Sequence, residues 1–225
     1  MKITAISGSP KREGSMSERI IKQVELLFGE PIQIYNAART LQNETSPDML
    51  NAVLDADILL IVLPLYVDSL PAPLIELLTR IEQIARKGDK KPCVYSIINC
   101  GLHESEHNIL ALDMIRYFAE HSGLPWGYGL GIGHGGMLAS MGENWSKGPA
   151  GGVYAAIRDM VGSMREGKGG DNVYVAPKFP RFLYIAAANL GWHMQARKNG
   201  VLKQLKAQPY KNNKKAKYAS ADIFM

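Results

Sequence analysis

The chain has 225 residues, of which 46% are hydrophobic and 21% charged, a balance typical of a globular protein with a full hydrophobic core. No apolar run approaches the roughly 20 residues of a membrane-spanning helix, and two cysteines are too few for a secreted disulfide scaffold. The formal charge of +5 arises in the C-terminal segment, where eight basic residues and no acidic one lie between Arg197 and Lys217, a distribution that does not favour nucleic-acid binding by a folded face.

Short apolar runs alternate with amphipathic ones along the chain. Strands are predicted at 3–6, 31–36, 57–65, 91–100 and 127–133. Helices are predicted at 15–28, 47–55 (with Ser46 as N-cap), 72–86, 104–121, 150–165 and 180–199. The segments 137–149 and 166–179 are predicted to be linkers.

This alternation indicates an α/β fold with a parallel sheet covered by helices on both faces. Five strands in this arrangement favour a flavodoxin-like doubly wound sheet of order 2-1-3-4-5 with a C-terminal helical extension. We expect one domain over 1–205, with 136–205 as the extension, and a basic, mobile tail over 206–225. Ligands in such sheets bind beyond the carboxyl ends of the strands. The candidate binding loops are therefore those after the first, third and fourth strands, at 7–17, 64–71 and 99–104.

The first of these loops, SGSPKREGSMS at 7–17, is rich in hydroxyl groups and lies between a strand and a helix. It fits neither the G-x-x-x-x-G-K-[ST] pattern of ATP and GTP sites nor the G-x-G-x-x-G pattern of dinucleotide sites. Hydroxyl groups and free N–H groups at a helix N-terminus suit a terminal phosphomonoester. The alternative is a simple capping box, S-x-x-E at Ser15 to Glu18, which needs no ligand.

Two stretches together resemble a known family. SGSPKREGSMS followed by PLYVDSLPAPL at 64–74 is similar to the two loops of the flavodoxin-like NAD(P)H-dependent FMN reductases, over roughly residues 1–135. Met16 stands where a polar residue is often found in that family. The related iron–sulfur flavoproteins carry four clustered cysteines, whereas this chain has only Cys93 and Cys100.

The resemblance implies a set of FMN-binding residues in three groups. The phosphate would be held by Ser9, Lys11, Gly14, Ser15, Met16 and Ser17. The isoalloxazine ring would lie along Pro64, Leu65, Tyr66, Val67 and Asp68, with Asn99, Cys100 and Gly101 on its other side. Without the resemblance, an ordinary strand end followed by a proline-rich connection into a helix is an alternative for the second loop, and Cys100 is more often a packed side chain than a reactive one.

Two further motifs are interpreted as coincidental. His103 to His107 matches the H-E-x-x-H pattern of zinc proteases, but the sequence offers no convergent third ligand, so we expect no metal site. His103 could still border the flavin or the substrate. The stretch GIGHGG at 131–136 matches G-x-G-x-x-G but lacks a helix directly after it, and is interpreted as the end of a glycine-rich last strand.

The predicted function is that of an FMN-dependent NAD(P)H oxidoreductase that passes electrons to a small acceptor such as a quinone, a nitro compound or a flavin. Because the flavin performs the chemistry, no catalytic side chain is predicted. The alternatives are a flavodoxin-like electron carrier and a non-catalytic FMN-binding regulatory protein. We expect a cytoplasmic homodimer or homotetramer, because the N-terminal apolar stretch is too short for a secretory signal and the extension exceeds what an electron carrier needs.

Overall fold

Six parallel strands form one sheet at the centre of the protein. The computed structural model describes residues 1–11, 13–42 and 47–207. The strands follow the order β2-β1-β3-β4-β5-β6. Their bounds are β1 Ile3–Ser7, β2 Gln33–Asn36, β3 Ile58–Pro64, β4 Cys93–Asn99, β5 Trp126–Ile132 and β6 Val173–Val175. The predicted flavodoxin-like sheet of order 2-1-3-4-5 is confirmed, with one strand added beyond β5.

The sixth strand lies in a segment that the sequence had assigned to a linker. β6 pairs with β5 in parallel, with Val175 opposite Ile132. The Oδ1 of Asn172 accepts a hydrogen bond from the N–H of Gly129 at 2.8 Å and fixes the approach of the two strands. A three-residue run carries no readable period, so only the hydrogen-bonding edge of β5 makes this segment a strand.

Helices cover both faces of the sheet. The helices of the described chain are α1 Met16–Phe28, α2 Ala37–Gln42, α3 Pro47–Leu54, α4 Ala72–Ala85, α5 Ile109–Ser122, α6 Gly135–Ser140, α7 Gly151–Glu166 and, outside the unit that holds the sheet, α8 Arg181–Lys198. Side chains of α1 and α7 pack with Leu60 and Val62 of β3 on one face. Side chains of α3, α4 and α5 pack with Leu59, Ile61 and Leu63 of the same strand on the other face. The uniformly apolar β3 thus supplies two cores, because successive side chains of a strand point to opposite faces.

Some helix boundaries differ from the predictions. The helix predicted over 104–121 begins with a 3₁₀ turn at Ser105–Asn108, and α5 proper starts at Ile109. The short helix α6 occupies the start of the segment predicted as a linker over 137–149. The predicted cap Ser46 lies outside the described residues.

The described chain forms two compact units. The first runs from Met1 to Lys178 and contains the whole sheet, and the second begins at Phe179 and contains α8. Several large apolar side chains of α8 are exposed, including Phe182, Leu190 and Trp192. Among the described residues, no helix combines the length and the apolar character that crossing a membrane requires. The division into 1–205 and 206–225 stays a prediction, and residues 208–225 of the predicted tail lie outside the described residues.

Candidate functional site

The strands end together at one edge of the sheet, which we call the carboxyl edge. Pro64 at the end of β3 pairs with Asn99 at the end of β4, and Asn99 pairs with Ile132 at the end of β5. Ser7 ends β1 beside Val62 of β3. Every residue predicted to bind the cofactor lies at these strand ends, in the loops that follow them or in the first turn of α1. The sheet therefore brings all three predicted groups to the same edge.

The β1–α1 loop ends in the predicted capping box. The N–H of Glu18 donates to the Oγ of Ser15 at 3.1 Å, and the N–H of Ser15 donates to a carboxylate oxygen of Glu18 at 3.3 Å. The cap is thus confirmed, and it commits the Ser15 hydroxyl to the helix. The first intrahelical hydrogen bond runs from the N–H of Arg19 to the carbonyl of Ser15. The N–H groups of Met16 and Ser17 have no acceptor within the helix, so both remain available to an anion at the helix N-terminus.

Two hydroxyl groups beside this cap are buried without a partner. Ser7 and Ser17 are 0% and 1% exposed, and within the described part of the chain neither Oγ makes a hydrogen bond. Burying a hydroxyl in this state costs about 1–3 kcal/mol. Ser9, also buried, differs because its Oγ accepts a hydrogen bond from the N–H of Lys11 at 3.2 Å. A ligand with several acceptor oxygens would satisfy both unpartnered hydroxyl groups.

One basic side chain of the same loop lies within the described residues. The ammonium group of Lys11 donates to the carbonyl of Gly14 at 3.1 Å, so this side chain folds back over the loop. Gly14 has a φ of 61°, a left-handed conformation that glycine adopts at little cost and that lets the chain turn into α1. The positive end of the helix dipole adds to the Lys11 charge. Arg12, the other basic residue of the loop, lies outside the described residues.

The loop after β3 forms a tight two-residue turn. Tyr66 and Ser69 exchange backbone hydrogen bonds of 3.2 and 3.0 Å, and the two residues between them, Val67 and Asp68, have φ values of 51° and 54°. Positive φ at both central positions defines a type I′ turn. For a β-branched residue such as Val67 this conformation is strained by about 1–3 kcal/mol. Val67 is 97% exposed, so packing of its side chain does not compensate for that strain.

The loop after β4 lies directly beside this turn. The N–H of Leu65 donates to the carbonyl of Asn99 at 2.9 Å, which ties the two loops together. Asn99 is 7% exposed, and among the described residues its Oδ1 has no hydrogen-bond partner. Cys100 is buried, and burial raises the pKa of its thiol, so the group stays protonated at neutral pH. Gly101, the next residue in this loop, is exposed.

A pair of histidines that the sequence analysis did not connect lies at the same edge. Nε2 of His134, directly after β5, is 2.5 Å from Nδ1 of His103 in the loop after β4. His134 has a φ of 56° and is 1% exposed. The signal available in the sequence was a histidine between glycines at a predicted strand end, but its partner is 31 residues away.

The arrangement of these histidines differs from that of the H-E-x-x-H pattern in a zinc protease. His103 turns to His134, whereas Nε2 of His107 lies 4.0 Å from the carboxylate of Glu104. In the described part of the chain, no three His, Cys, Asp or Glu side chains gather closely enough to hold a metal ion.

The donors and acceptors at the carboxyl edge fit a flavin mononucleotide. Three buried atoms of the loops 7–17 and 99–104 have no partner among the described residues: the Oγ atoms of Ser7 and Ser17 and the Oδ1 of Asn99. Ser17 lies in the first turn of α1, a helix N-terminus suited to a phosphate, and Asn99 ends β4 opposite Pro64. The remaining unpartnered polar atoms of the described chain belong to Arg116 and Ser122 of α5 and to Asn108, whose Nδ2 donates to the carbonyl of Ile132 at the same edge.

Comparison with known proteins gives relatives by structure and none by sequence. No family model matches the chain, and no curated protein matches it. An NADH:FMN oxidoreductase solved in its apo form superposes with a TM-score of 0.55 at 19% identity, covering 75% of this chain and 90% of that one.

Two further structures match over similar lengths. A putative quinone reductase from Klebsiella pneumoniae gives a TM-score of 0.52 at 15% identity, covering 73% of this chain and 85% of its own. An NADPH-quinone reductase from P. pentosaceus gives 0.50 at 13% identity, covering 72% and 96%. At these identities the likeness establishes a shared flavodoxin-like fold, in agreement with the resemblance seen in the two loop motifs.

Proposed function

We propose that this flavodoxin-like protein is an FMN-dependent NAD(P)H oxidoreductase that passes electrons to a small acceptor. The observation that carries the proposal is the set of buried, unpartnered polar atoms at the carboxyl edge, on Ser7, Ser17 and Asn99. Such atoms are uncommon in a folded protein, and a ligand that bonded to these three would satisfy them. The proteins with which this chain shares its fold include an NADH:FMN oxidoreductase and quinone reductases, which supports the same class.

The phosphate end of the proposed site is the β1–α1 loop. We expect the Oγ of Ser17 and the N–H groups of Met16 and Ser17 to donate to the phosphate oxygens. Ser9 and Gly14 shape the loop, while the ammonium group of Lys11 neutralises part of the phosphate charge. Ser15 stabilises the first turn of α1 through the capping box and so holds the N–H groups of that turn in place.

The ring end of the proposed site lies between the loops after β3 and β4. Pro64 to Asp68 provide an apolar wall that ends in the backbone N–H groups of Val67 and Asp68, since the N–H groups of Leu65 and Tyr66 donate to Asn99 and Ser69. Asn99, Cys100 and Gly101 provide the facing polar edge. The tight turn holds Val67 and Asp68 in one conformation at the open side of this wall. When bound, FMN would accept electrons from NAD(P)H and release them to a second substrate, so the residues need only bind the ring, orient it and exclude water.

The test begins with the absorbance spectrum of the purified protein and titration with FMN. We expect a yellow protein, or a colourless one that binds added FMN stoichiometrically. A protein that refuses FMN contradicts every flavin function.

Anaerobic addition of NADPH or NADH then distinguishes the proposed enzyme from the alternatives. Bleaching of the flavin followed by recovery with a quinone supports the oxidoreductase. Absence of bleaching leaves the electron carrier, and bleaching without recovery by quinones, nitro compounds or flavins leaves the regulatory protein. Sedimentation of the same sample tests the predicted homodimer or homotetramer.

A further inference from the structure

We propose that two copies of this chain associate through the outer face of α4 and α5, and that their association covers the tight turn after β3. This surface, the α4–α5 face, consists of Ile75, Leu110, Met114, Tyr117 and His121. The second part of the proposal rests on the proposed function, because it places the partner copy over the ring end of the site.

The α4–α5 face is apolar where a helix that faces water is usually polar. Leu110, Met114 and Tyr117 of α5 are 62%, 37% and 53% exposed, and Ile75 of α4 is 42% exposed. Three of these side chains line one groove of about 270 Å³ between the two helices, and Leu110 lies one turn before Met114. Contiguous exposed apolar side chains of this kind mark an interaction surface.

The spacing along α5 suits a partner helix. The residues of the face at 110, 114, 117 and 121 follow one another in steps of four, three and four, which is the spacing of a coiled-coil seam. They form a ridge along a helix of 14 residues, which is about 21 Å long. The groove beside this ridge can receive the ridge of another molecule. Because one surface carries both features, two copies related by a two-fold axis can each place a ridge in the other's groove.

The charges beside the face favour a second copy over a charged partner. Each arginine on or next to the two helices pairs with an acidic residue of its own helix, as Arg80–Glu76, Arg86–Glu82, Arg116–Asp113 and Arg116–Glu120. Three bases against four acids leave no positive excess for a nucleic acid or an anionic lipid surface to meet. The ridge itself contains no Asp, Glu, Lys or Arg, so it can face its own copy without bringing like charges together.

The composition of the two helices points the same way. Neither α4 nor α5 contains a lysine, the residue that interfaces disfavour, whereas Met114 and Tyr117 are of types enriched there. Methionine also adapts its shape to a partner, and tyrosine brings a large apolar ring with a hydroxyl group that stays wet.

The size of the face implies that the turn after β3 is covered too. Two helices of this length side by side have an outline of about 400 Å², about half of the roughly 800 Å² that each partner buries in a standard interface. The turn adjoins the face, since the Oγ of Ser69 donates to the Sδ of Met114 at 3.8 Å. Tyr66 and Val67 of this turn are 49% and 97% exposed. A partner copy over the turn would shield both side chains and the ring end of the proposed site.

Sedimentation velocity of the full chain at micromolar concentration is the first test. We expect the parent to be dimeric, and Tyr117→Glu to raise the dimer dissociation constant by about 100-fold or more, because a charge would be buried beside its own copy. Leu26→Glu is the matched control, since Leu26 of α1 is 73% exposed and lies outside the face. It should associate as the parent does. A monomeric parent, or a Tyr117→Glu protein that stays dimeric, overturns the inference.

Mixing two charge variants identifies the occupant as a second copy. Tyr117 lies near the middle of the ridge and so near the two-fold axis. Tyr117→Glu and Tyr117→Lys should each be monomeric alone and should form a heterodimer when mixed, because opposite charges then meet. An unrelated partner, or another segment of the same chain packed on the face, gives no such rescue, and its absence overturns the inference.

Titration with FMN, followed by fluorescence quenching, tests the cover over the ring end. If association shields the ring, FMN must bind the dimer more tightly and must lower the dimer dissociation constant by the same factor. We expect Tyr117→Glu to bind FMN about 10-fold more weakly than the parent and Leu26→Glu to bind it equally. Equal affinity of Tyr117→Glu and the parent overturns the cover over the turn. A monomeric parent that binds FMN overturns this inference alone, whereas a dimer that refuses FMN overturns the proposed function.

Discussion

Replacing Ser17 by alanine should stabilise the protein without cofactor while weakening FMN binding. The Oγ of Ser17 is buried and makes no hydrogen bond in the described structure, so its removal relieves a desolvation cost of about 1–3 kcal/mol. For a unit of this size each kcal/mol raises the Tm by about 2–4 °C. A hydrogen bond from this hydroxyl to a phosphate is worth about 1.5–3 kcal/mol, so FMN affinity should fall by about 10- to 150-fold.

Two further substitutions, Ser15→Ala and Ser122→Ala, distinguish the effect on protein stability from the effect on FMN binding. Ser15→Ala removes the helix cap and should lower the stability of the cofactor-free protein by about 1 kcal/mol. Ser122→Ala also removes a buried hydroxyl without a partner among the described residues, but at the end of α5, so it should stabilise the protein and leave FMN affinity unchanged. Ser15→Ala and Ser17→Ala should thus shift the stability of the cofactor-free protein in opposite directions.

The assays are thermal unfolding of the cofactor-free protein and titration of FMN followed by fluorescence quenching. The reasoning about the phosphate loop is refuted if Ser17→Ala binds FMN as tightly as the parent. It is also refuted if that variant is less stable by 1 kcal/mol or more, because Ser17 would then have a partner within the protein.

Three further substitutions test the geometry of the edge. Val67→Gly should raise the free energy of unfolding by about 1 kcal/mol, since it relieves strain at a φ of 51° on an exposed side chain; a loss in denaturant titration would contradict the strained turn. Gly135→Ala should cost about 1–3 kcal/mol, because a Cβ there would lie 2.8 Å from Nδ2 of Asn99. Gly136→Ala, with nothing within 4 Å of its Cβ, is the control and should be neutral or stabilising in the same titration. Because the pKa of His134 is lowered in the folded state, the unfolded chain binds its proton first, so stability should fall as the pH drops below about 6.5. His134→Asn should flatten this dependence between pH 7 and 5, and an unchanged slope would show that the histidine is not held neutral.

Local sequence signals predicted most of the architecture because they reflect local physics. The apolar run at 57–65 indicated a strand covered on both faces, and β3 supplies side chains to both cores. The S-x-x-E pattern at Ser15 predicted a cap that the structure contains, since the interacting groups are three residues apart. The alternation of strands and helices indicated the flavodoxin-like fold and, with it, the three loops at the carboxyl edge. The binding roles of their residues stay predictions.

The features that give the site its proposed chemistry depended on contacts between distant segments. The strand β6 forms only because β5 offers a hydrogen-bonding edge to a segment with no readable period of its own. Nothing in the sequence around Ser17 shows that its hydroxyl would be buried without a partner, because burial depends on every element that packs around it. The type I′ turn at Val67 contradicts the preference of a β-branched residue, so local propensity could not predict it.

The histidine pair separates the two kinds of information most clearly. The sequence by itself determined that His103 follows one predicted strand and His134 another, and it placed both strand ends at the same edge. Only the tertiary structure decided that the two rings meet, because strand register and the anchoring of His134 to Leu102 and Pro177 bring together residues 31 positions apart. Secondary structure is encoded within a few residues, whereas the juxtaposition of two side chains is a property of the packed sheet.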